Sequence, residues 1–553
     1  MNQETKQRKA VANLDSMRRV FSIPENADST LSRIEEEISK NLLGFLRNNI
    51  VAGEMEPEDL EKDFQNIKIP DDPMFVSQHA EFLLEKVVKQ SVHTASPSFI
   101  GHMTSSMPYF MLPLAKIMIA LNQNTVKIET SKAFTPLEAL VIGMLHRLVF
   151  QNDDDFYRKW THNHEHAFGV FTSGGTTANM TGLWVARNRL LTPKGSFKSV
   201  GEDGLHLGLK VHDLNGLAIL VSKRGHYSLK KAADILGIGR SNLIAIETDQ
   251  LQKCKIDKLK ATISKLKQEK IGIISIVGIA GTTETGSVDP LSEMAKIAKD
   301  EGIHFHVDGA WGAPTLFSDK HQHLLKGIEL ADSVVIDAHK QLYVPMGAGM
   351  CLFRDVTALD CIQTNAQYII RKGSRDLGKH TLEGSRPGMA MLVHSGLQVL
   401  GKKGYELLID LGIAKAQQFA KLIQSNDNFE LTSAPELNLL TYRYRPSELK
   451  VHLQSSNSPI EKIIAINMLL NELTVNIQKT QRDRGKTFVS RTSFEMPLYD
   501  QQILTVFRCV LANPLTTRQI LADILLEQEM IAKDEMLKMD FQTKINEVSK
   551  RYH

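Results

Sequence analysis

A lysine and a histidine follow a short apolar run in the middle of the sequence. The run SVVID, at 333–337, leads directly into Ala338, His339 and Lys340. A lysine held in a crevice loses its proton more readily than a lysine in water, and its amine then becomes a nucleophile. A solvated lysine after a strand is the ordinary alternative for this residue type. Whether Lys340 is catalytic therefore depends on the residues beside it.

Two other polar side chains also follow apolar runs. Asp308 closes the run at 303–308, and His226 comes shortly after the run at 217–222. A carboxylate can hold a protonated ring nitrogen through a charge-assisted hydrogen bond, and an imidazole can stack on a flat ring. An ordinary loop position is the alternative for each of them.

The segment FTSGGTTAN, at 171–179, has the composition of an anion site. Its two glycines allow close approach of the backbone, and Ser173, Thr176 and Thr177 add hydroxyl groups. An apolar stripe beyond the segment predicts a helix, and the free N–H groups at the start of a helix attract anions. No GK[ST] follows, so the segment is not a P-loop. A plain helix start with a glycine turn is the alternative.

These four features together match the needs of pyridoxal 5′-phosphate, which requires an anion site, a ring-nitrogen carboxylate, a stacking ring and an amine. The elements around them can bring them together. Apolar runs alternate with helical patterns, which predicts an α/β fold with a mainly parallel sheet covered by helices. The runs lie at 217–222, 243–247, 273–280, 303–309, 333–338 and 349–353. Such a sheet binds its ligands beyond the carboxyl ends of its strands.

The composition excludes several classes of protein. The chain has 553 residues, of which 42% are hydrophobic and 23% charged, as in a soluble globular protein of two or three domains. A net charge of +3 does not indicate binding to nucleic acid or to a membrane surface. The four cysteines form no CxxC pair, so neither a disulfide framework nor a zinc site is predicted, and no metal is expected. No signal peptide or apolar membrane span is present, so we expect a cytoplasmic protein.

Three regions are expected along the chain. Residues 1–115 form an N-terminal helical segment, residues 116–400 form the large cofactor-binding domain, and residues 401–553 form a smaller C-terminal α+β domain. In the last region, 437–445 and 503–511 predict strands, and the helix near 518 is capped by Thr516 or Thr517.

The sequence resembles the group II pyridoxal-phosphate-dependent amino-acid decarboxylases from about residue 80 to residue 530. Seven blocks follow the order found in that family: SGGTTAN (173–179), HYSLKKAADILGIG (226–239), GTTETGSVDPL (281–291), HVDGAWG (306–312), DAHK (337–340), GSRPGMAMLVHSGLQVLGKKGYELL (384–408) and FRCVLANPLTT (507–517). The resemblance implies fold type I, a carboxy-lyase activity and a homodimer with shared active sites. It also implies that the N-terminal segment wraps around the partner subunit.

The resemblance also implies the cofactor-binding residues, which are Gly175, Thr176, His226, Thr283, Asp308, Ala310, His339 and Lys340. Lys340 is expected to form the Schiff base with pyridoxal 5′-phosphate, and His339 helps to hold the phosphate together with Gly175 and Thr176. His226 stacks on the ring, while Asp308 pairs with the ring nitrogen. Lys340, Asp308 and His226 are thus the expected catalytic residues. Ala310 packs on the other face of the ring, and Thr283 lies near the hydroxyl side of the cofactor.

The substrate side of the site has two candidate residues. Arg508 matches the arginine that glutamate decarboxylases use on a substrate carboxylate, although a structural arginine on a C-terminal strand is an equal alternative. The segment SPSFIGHMTSSMP, at 96–108, resembles the substrate-side loop of the family, with His102 where glutamate decarboxylases have glutamine. Both side chains suit an acidic substrate.

The group that returns a proton to Cα is not evident. Members of the family usually supply a tyrosine from a loop before the GSR block, but the loop at 371–386 contains no tyrosine. His380, Tyr368 and a residue of the partner subunit are the alternatives, and an exposed loop histidine is the ordinary interpretation of His380.

Within the family, the sequence resembles the aspartate 1-decarboxylase group through the joint occurrence of SPSFIGHMTSSMP (96–108), DAHKQLYVPMGAGM (337–350) and LEGSRPGMAMLVHSGL (382–397). This similarity implies the conversion of L-aspartate to β-alanine and CO₂, which feeds pantothenate biosynthesis. Decarboxylation of L-glutamate to 4-aminobutyrate is the alternative. An aminotransferase or another fold type I enzyme would carry similar anchoring residues, and a binding protein without activity would tolerate loss of Lys340 or Asp308.

Overall fold

The computed structural model describes residues 30–47, 51–52, 57–104, 106–364, 374–454 and 458–552. The strands in these ranges are β1 (Gly169–Thr172), β2 (Gly216–Ser222), β3 (Leu243–Ile246), β4 (Ile271–Ile279), β5 (His304–Asp308), β6 (Ser333–Asp337), β7 (Gly349–Phe353), β8 (Phe429–Ser433), β9 (Leu439–Tyr444), β10 (Ser490–Met496) and β11 (Gln502–Val510). Within the described residues they form a seven-stranded sheet and a four-stranded sheet.

The helices surround both sheets. They are α1 (Thr30–Arg47), α2 (Pro57–Lys62), α3 (Val76–Phe82), α4 (Met111–Leu121), α5 (Ile128–Ser131), α6 (Phe134–Phe150), α7 (Asp154–Trp160), α8 (Gly175–Leu190), α9 (Val200–Val211), α10 (Tyr227–Ile235), α11 (Ile256–Gln268), α12 (Leu291–Glu301), α13 (Ala390–Gln424), α14 (Leu449–Gln454), α15 (Ile460–Arg484), α16 (Arg518–Lys538) and α17 (Phe541–Arg551). None of these helices, within the described part of the chain, is long and apolar enough to cross a bilayer.

The large sheet confirms the predicted fold class. Its strand order is β1-β7-β6-β5-β4-β2-β3, and the five strands from β3 to β6 in this order run parallel. β7 is antiparallel to both of its neighbours. Almost every residue of β2, β4, β5 and β6 is buried, because helices cover both faces of the sheet. This burial explains why the runs in the sequence are continuously apolar.

The connections after the parallel strands bring the candidate residues to one edge of the sheet. His226 follows β2, Thr283 follows β4, and Asp308 is the last residue of β5. His339 and Lys340 follow β6, and the glycine-rich segment follows β1. The edge is therefore the one where parallel sheets bind their ligands.

The small sheet, with the order β10-β11-β9-β8, is antiparallel throughout. It packs against α13, α15 and α16 around a second core. The predicted strands in this region correspond to β9 and β11, whereas β8 and β10 were not predicted. β10 has the sequence SRTSFEM and is only partly buried, so it lacks the apolar run that marks a buried strand.

Three details concern the helices. α3 is an α-helix over Val76–Phe82, and the chain then continues as a π-helix over Leu83–Val88. Thr517 caps α16, and its side chain accepts a hydrogen bond from the N–H of Ile520. α13 is interrupted at Gly401, where a φ of 62° requires the left-handed conformation that glycine allows.

Candidate active site

A cavity of about 340 Å³ lies at the carboxyl edge of the large sheet. Its volume lies within the range of about 300 to 1,000 Å³ that small-molecule sites occupy. All the predicted cofactor-binding residues line it, namely Gly175, Thr176, His226, Thr283, Asp308, Ala310, His339 and Lys340. The fold thus brings together side chains that are separated by up to 165 residues in the sequence, counted from Gly175 to Lys340.

The Lys340 amine pairs with a carboxylate that had no predicted role. Its Nζ lies 3.0 Å from Oδ2 of Asp337, the last residue of β6. Asp337 is buried, and its Oδ1 has no hydrogen-bond partner in the described part of the protein. His339 Nε2 lies 3.7 Å from the same Oδ2. The position of Asp337 at the end of an apolar run was the signal available in the sequence.

The glycine-rich segment forms an anion cradle at the start of α8. A Cβ atom at Gly175 would lie only 2.7 Å from Asp337 Oδ2, so the backbone approaches this carboxylate more closely than a side chain would allow. The hydroxyls of Ser173 and Thr177 are 3.2 Å apart and both residues line the cavity. Hydroxyls and free N–H groups at a helix start are the groups that hold a phosphate.

Glu383 reaches this cradle from the segment before α13. One carboxylate oxygen accepts hydrogen bonds from the Ser173 N–H, at 3.0 Å, and from its hydroxyl, at 2.5 Å. The other oxygen is buried without a partner in the described residues. The contact was not predicted, because 210 residues separate the two side chains.

The Asp308 carboxylate is held by an amide on α8. Asn179 donates hydrogen bonds to Asp308 Oδ2, at 2.9 Å, and to the Ser228 hydroxyl, at 3.1 Å. The Ser228 hydroxyl lies 2.8 Å from Nδ1 of His226, which also accepts from the Ser228 N–H. One buried asparagine therefore links the predicted ring-nitrogen carboxylate to the predicted stacking histidine. Asn179 is the last residue of the SGGTTAN block, but the sequence predicted no role for it.

Hydrogen bonds also connect the Asn179 side chain to two histidines inside the large sheet. Asn179 Oδ1 lies 2.9 Å from His306 Nε2, which must be the donor because an amide oxygen only accepts. The Ser333 hydroxyl lies 2.7 Å from His306 Nδ1 and 2.7 Å from His304 Nε2. Burial lowers the pKa of both histidines. Neutral imidazoles therefore support the Asp308 carboxylate from behind.

His226 starts α10 beside the cavity. Burial lowers its pKa, and the positive charge of Lys340 acts in the same direction while the Asp308 carboxylate opposes it. A neutral imidazole with Nδ1 engaged by Ser228 has a fixed orientation, as a stacking residue requires.

The two candidate substrate residues lie at the small-sheet side of the cavity but are not among its lining residues. Arg508, on β11, is buried, and it donates to the carbonyl oxygens of Thr283, at 2.5 Å, and Gly101, at 3.3 Å. His102 is exposed, but partial burial and the positive charges of Arg508 and Lys340 lower its pKa. Arg224, which was not predicted, lines the cavity together with Thr283.

His380 does not line the cavity. It is buried at the end of a short 3₁₀ turn, and its Nε2 has no partner in the described residues. Burial lowers its pKa to about 3, with further contributions from the positive charges of Lys379 and His166. Tyr368, the other candidate donor in this chain, lies outside the described residues.

Pyridoxal 5′-phosphate fits the donor set of this cavity. The cradle at the start of α8 suits the phosphate, a buried carboxylate at Asp308 suits a protonated ring nitrogen, and the Lys340 amine suits the aldehyde. The cradle and the two side chains follow different strands but line one cavity. His226, the candidate stacking ring, lines the same cavity, so all four chemical requirements of this cofactor are met in one place.

Two curated proteins are similar to this chain over long stretches. The aspartate 1-decarboxylase of Aliivibrio fischeri strain ATCC 700601 / ES114 is 56% identical over 535 residues, which cover 97% of both chains. The acidic amino acid decarboxylase GADL1 of Bos taurus is 28% identical over 373 residues, which cover 66% of this chain and 67% of the bovine protein.

The fold and the family agree with these relatives. The crystal structure of mouse CSAD in apo form superposes with a TM-score of 0.77 at 24% identity, and the match covers 90% of this chain and 99% of the mouse chain. The profile of the pyridoxal-dependent decarboxylase conserved domain matches residues 57–445. The chain therefore belongs to the pyridoxal-dependent decarboxylases.

Proposed function

We propose that this enzyme removes the α-carboxylate of L-aspartate and releases β-alanine and CO₂. The observation that carries the proposal is the 56% identity, over 97% of the chain, to an aspartate 1-decarboxylase. Positively charged groups on the substrate side, including Arg224 and Arg508, agree with a substrate that has a carboxylate in its side chain. The product β-alanine would then be available for pantothenate biosynthesis.

The cofactor is pyridoxal 5′-phosphate, which, when bound, accepts the electron pair that the departing carboxylate leaves at Cα. In our proposal Asp308 keeps the ring nitrogen protonated, because its carboxylate is oriented by Asn179 and faces the cavity. Lys340 would hold the cofactor through its aldehyde. His226 would pack on one face of the ring and Ala310 on the other, and Thr283 would lie on the hydroxyl side.

The phosphate is proposed to bind at Gly175, Thr176 and His339. These residues line the end of the cavity at the start of α8, where backbone N–H groups are free to donate. Burial lowers the pKa of His339. Its Nδ1 accepts a hydrogen bond from the Ala348 N–H, so Nε2 would be the atom that donates to the phosphate.

The proton donor to Cα stays a prediction. His380 is buried away from the lining residues of the cavity. A donor role for His380 would require the segment before α13 to move relative to the cradle. Tyr368 and a residue of the partner subunit are the other proposed sources, and a variant His380→Asn that retains product formation at the wild-type rate would favour these two over His380.

We also infer a cytoplasmic homodimer. α4 and the segment before it expose apolar side chains, among them Tyr109, Ile117, Ile119 and Leu121. Apolar surface of this kind marks a protein interface. Its proposed occupant is a second copy of the chain. All four cysteines are free thiols, which agrees with a reducing compartment. Light scattering of wild type and Ile119→Asp tests the dimer, because a charge at the interface should lower the molar mass.

The substrate is tested by incubating the purified enzyme and cofactor separately with aspartate, glutamate, 2,4-diaminobutyrate and tyrosine. We expect β-alanine and an equal amount of CO₂ from aspartate, with much slower release from the other three. Turnover confined to glutamate would overturn the aspartate assignment. Formation of a keto acid without CO₂ would instead identify an aminotransferase.

A further inference from the structure

The guanidinium of Arg224 is a buried cation at the cavity wall. Arg224 lies in the connection between β2 and His226, is only 8% exposed and lines the cavity with Lys340. Its Nε is fully buried without a hydrogen-bond partner in the described residues. Burying an ionised group without a partner is costly, so a charge left in this state indicates a ligand that binds there.

Two carboxylates lie near Arg224, but neither forms a direct ion pair with it in the described structure. Its guanidinium carbon lies 5.3 Å from the centre of the Phe494 ring. The nearby carboxylates are those of Glu284 and Glu495, and neither lies within 4.0 Å of it in the described structure. Glu495 pairs instead with Lys223, at 2.7 Å. Arg224 is thus held in place by packing, with its hydrogen-bonding edge uncommitted.

Arg508 is in the opposite situation. Its guanidinium donates to the backbone oxygens of Thr283 and Gly101 and lies 3.4 Å from the Ser490 hydroxyl. These bonds tie three separate segments together and use much of the donor capacity of the guanidinium. Arg508 therefore stabilises the wall of the site, whereas Arg224 faces the space inside it.

The position of Arg224 favours the substrate over the cofactor phosphate. The phosphate cradle is built by Ser173 and Gly175 at the start of α8, with Asp337 and His339 beside it. Arg224 instead contacts Phe494 on β10 of the small sheet.

The net charge around Arg224 and Arg508 is positive and would balance a carboxylate of the substrate. Glu284 lies close enough to influence both Arg224 and Arg508, and one of its oxygens is buried without a partner in the described residues. Two guanidinium groups and the Glu284 carboxylate leave a single positive charge, because the nearby Glu495 carboxylate is paired with Lys223. A planar guanidinium also matches a carboxylate in geometry, because it can donate two parallel hydrogen bonds.

We propose that Arg224 binds the side-chain carboxylate of the acidic amino acid and so determines the substrate class. The inference rests on the proposed function and specifies the residue that recognises the substrate. In this arrangement Arg508 acts as a positioning residue for Thr283 and for the loop at Gly101.

The test compares two unreactive ligands of the cofactor-loaded enzyme. Succinate has two carboxylates and butyrate has one on a chain of the same length, so their affinity ratio isolates recognition of the second carboxylate. Binding is measured by calorimetry and as inhibition of decarboxylation, in wild type, Arg224→Gln, Arg224→Lys and Lys223→Gln. Lys223→Gln is the matched control, because it removes the neighbouring positive charge, which does not line the cavity.

We expect wild type to prefer succinate. Arg224→Gln should weaken succinate binding by about 10- to 100-fold, the usual contribution of a hydrogen bond to a charged group, and leave butyrate binding within about twofold. Arg224→Lys should lose less affinity for succinate, and Lys223→Gln should change the ratio of succinate to butyrate affinity by no more than about twofold. An unchanged cofactor absorption band in Arg224→Gln establishes that the site is intact, and Arg224→Lys serves if that variant does not fold.

Three results would overturn the inference. The first is an unchanged preference for succinate in Arg224→Gln, and the second is an equal loss of affinity for succinate and butyrate. The third is a tenfold weaker binding of the cofactor while the preference for succinate is retained. A failure of the aspartate assignment looks different. In that case wild type does not decarboxylate aspartate but turns over another acidic amino acid, and the preference for succinate still depends on Arg224.

Discussion

Lys340 and Asp337 form an ion pair at the bottom of the cavity, three residues apart at the end of one strand. Lys340 Nζ lies 3.0 Å from Asp337 Oδ2, so the carboxylate fixes the position of the amine that we propose to bind the cofactor aldehyde. Asp337 also lies against Gly175 and His339, so one buried charge organises both the amine and the start of the cradle. This arrangement makes the identity of the reactive lysine testable against other buried lysines.

Borohydride reduction of the cofactor-loaded enzyme should fix the cofactor to Lys340 alone. Lys415 is a demanding comparison within the same chain, because burial lowers its pKa to about 8 while its amine donates to backbone oxygens outside the cavity. Peptide mass spectrometry should find the label at 340 and not at 415. The variant Lys340→Ala should lose both the label and at least about 1,000-fold in kcat. Label at Lys415 in the wild type would refute the assignment.

Glu383 should compete with the phosphate of the cofactor. Its carboxylate accepts from the Ser173 N–H at the cradle and adds a negative charge there. We expect Glu383→Gln to bind pyridoxal 5′-phosphate about three- to tenfold more tightly, because the repulsion is removed. Fluorescence titration measures the affinity, with Glu165→Gln as the control, since Glu165 is an exposed glutamate that does not line the cavity. Weaker binding in Glu383→Gln would contradict this expectation.

At the scale of elements, α8 has two functions. Its first turn provides the cradle, and Asn179 in its second turn orients Asp308 at 2.9 Å. Farther along the helix, Asn188 is also buried but donates to the backbone oxygen of Cys361, outside the cavity. Replacing each asparagine in turn therefore distinguishes an effect on the site from an effect on the stability of α8.

Asn179→Ala should lower kcat about 10- to 100-fold and shift the visible absorption band of the bound cofactor, because Asp308 loses its orienting donor. Asn188→Ala should lower the melting temperature about as much as Asn179→Ala does, but it should not shift the absorption band of the cofactor. Steady-state kinetics, absorption spectra and melting temperatures distinguish the two variants. A shifted band in Asn188→Ala, or an unshifted one in Asn179→Ala, would assign Asn179 a purely structural role.

The elements differ in how far the sequence predicted them. The apolar runs predicted β2 to β7 within a few residues, because strands buried on both faces are continuously apolar. β10 was missed because one of its faces is solvated, and β1 because it has only four residues. The residues predicted to bind the cofactor all line one cavity, and each of them follows an apolar run or belongs to a recognised motif. No role was predicted for Arg224, Asp337 or Glu383, because the fold and not the spacing in the sequence determines their contacts.

At the scale of the whole molecule, buried neutral histidines limit acid stability. His146 and His380 are both buried, and burial lowers their pKa values to about 4 and about 3. The unfolded chain binds a proton at each near pH 6.5, whereas the folded chain does not. Acid therefore favours the unfolded state, and stability should be full above pH 6.5 and decrease between pH 6.5 and about 3.

The variant His380→Leu should reduce this pH dependence. Each such histidine costs about 1.4 kcal/mol of unfolding free energy per pH unit in that range, so the wild type should lose about 2 kcal/mol more than the variant between pH 7 and pH 5. Urea unfolding of the loaded enzyme at one protein concentration measures the difference. His206→Leu, at an exposed histidine, should retain the wild-type slope. Equal slopes in wild type and His380→Leu would show that the His380 ring is protonated in the folded state.

The hydrogen bond from Arg508 to Gly101 joins residues 407 positions apart. During synthesis the ribosome must therefore deliver nearly the whole polypeptide before this contact can close. The segment from Gly175 to Lys340, whose residues line much of the cavity, is complete much earlier. The growing chain can thus assemble this part of the cavity first, and the contact between Arg508 and the loop at Gly101 closes only when translation is almost finished.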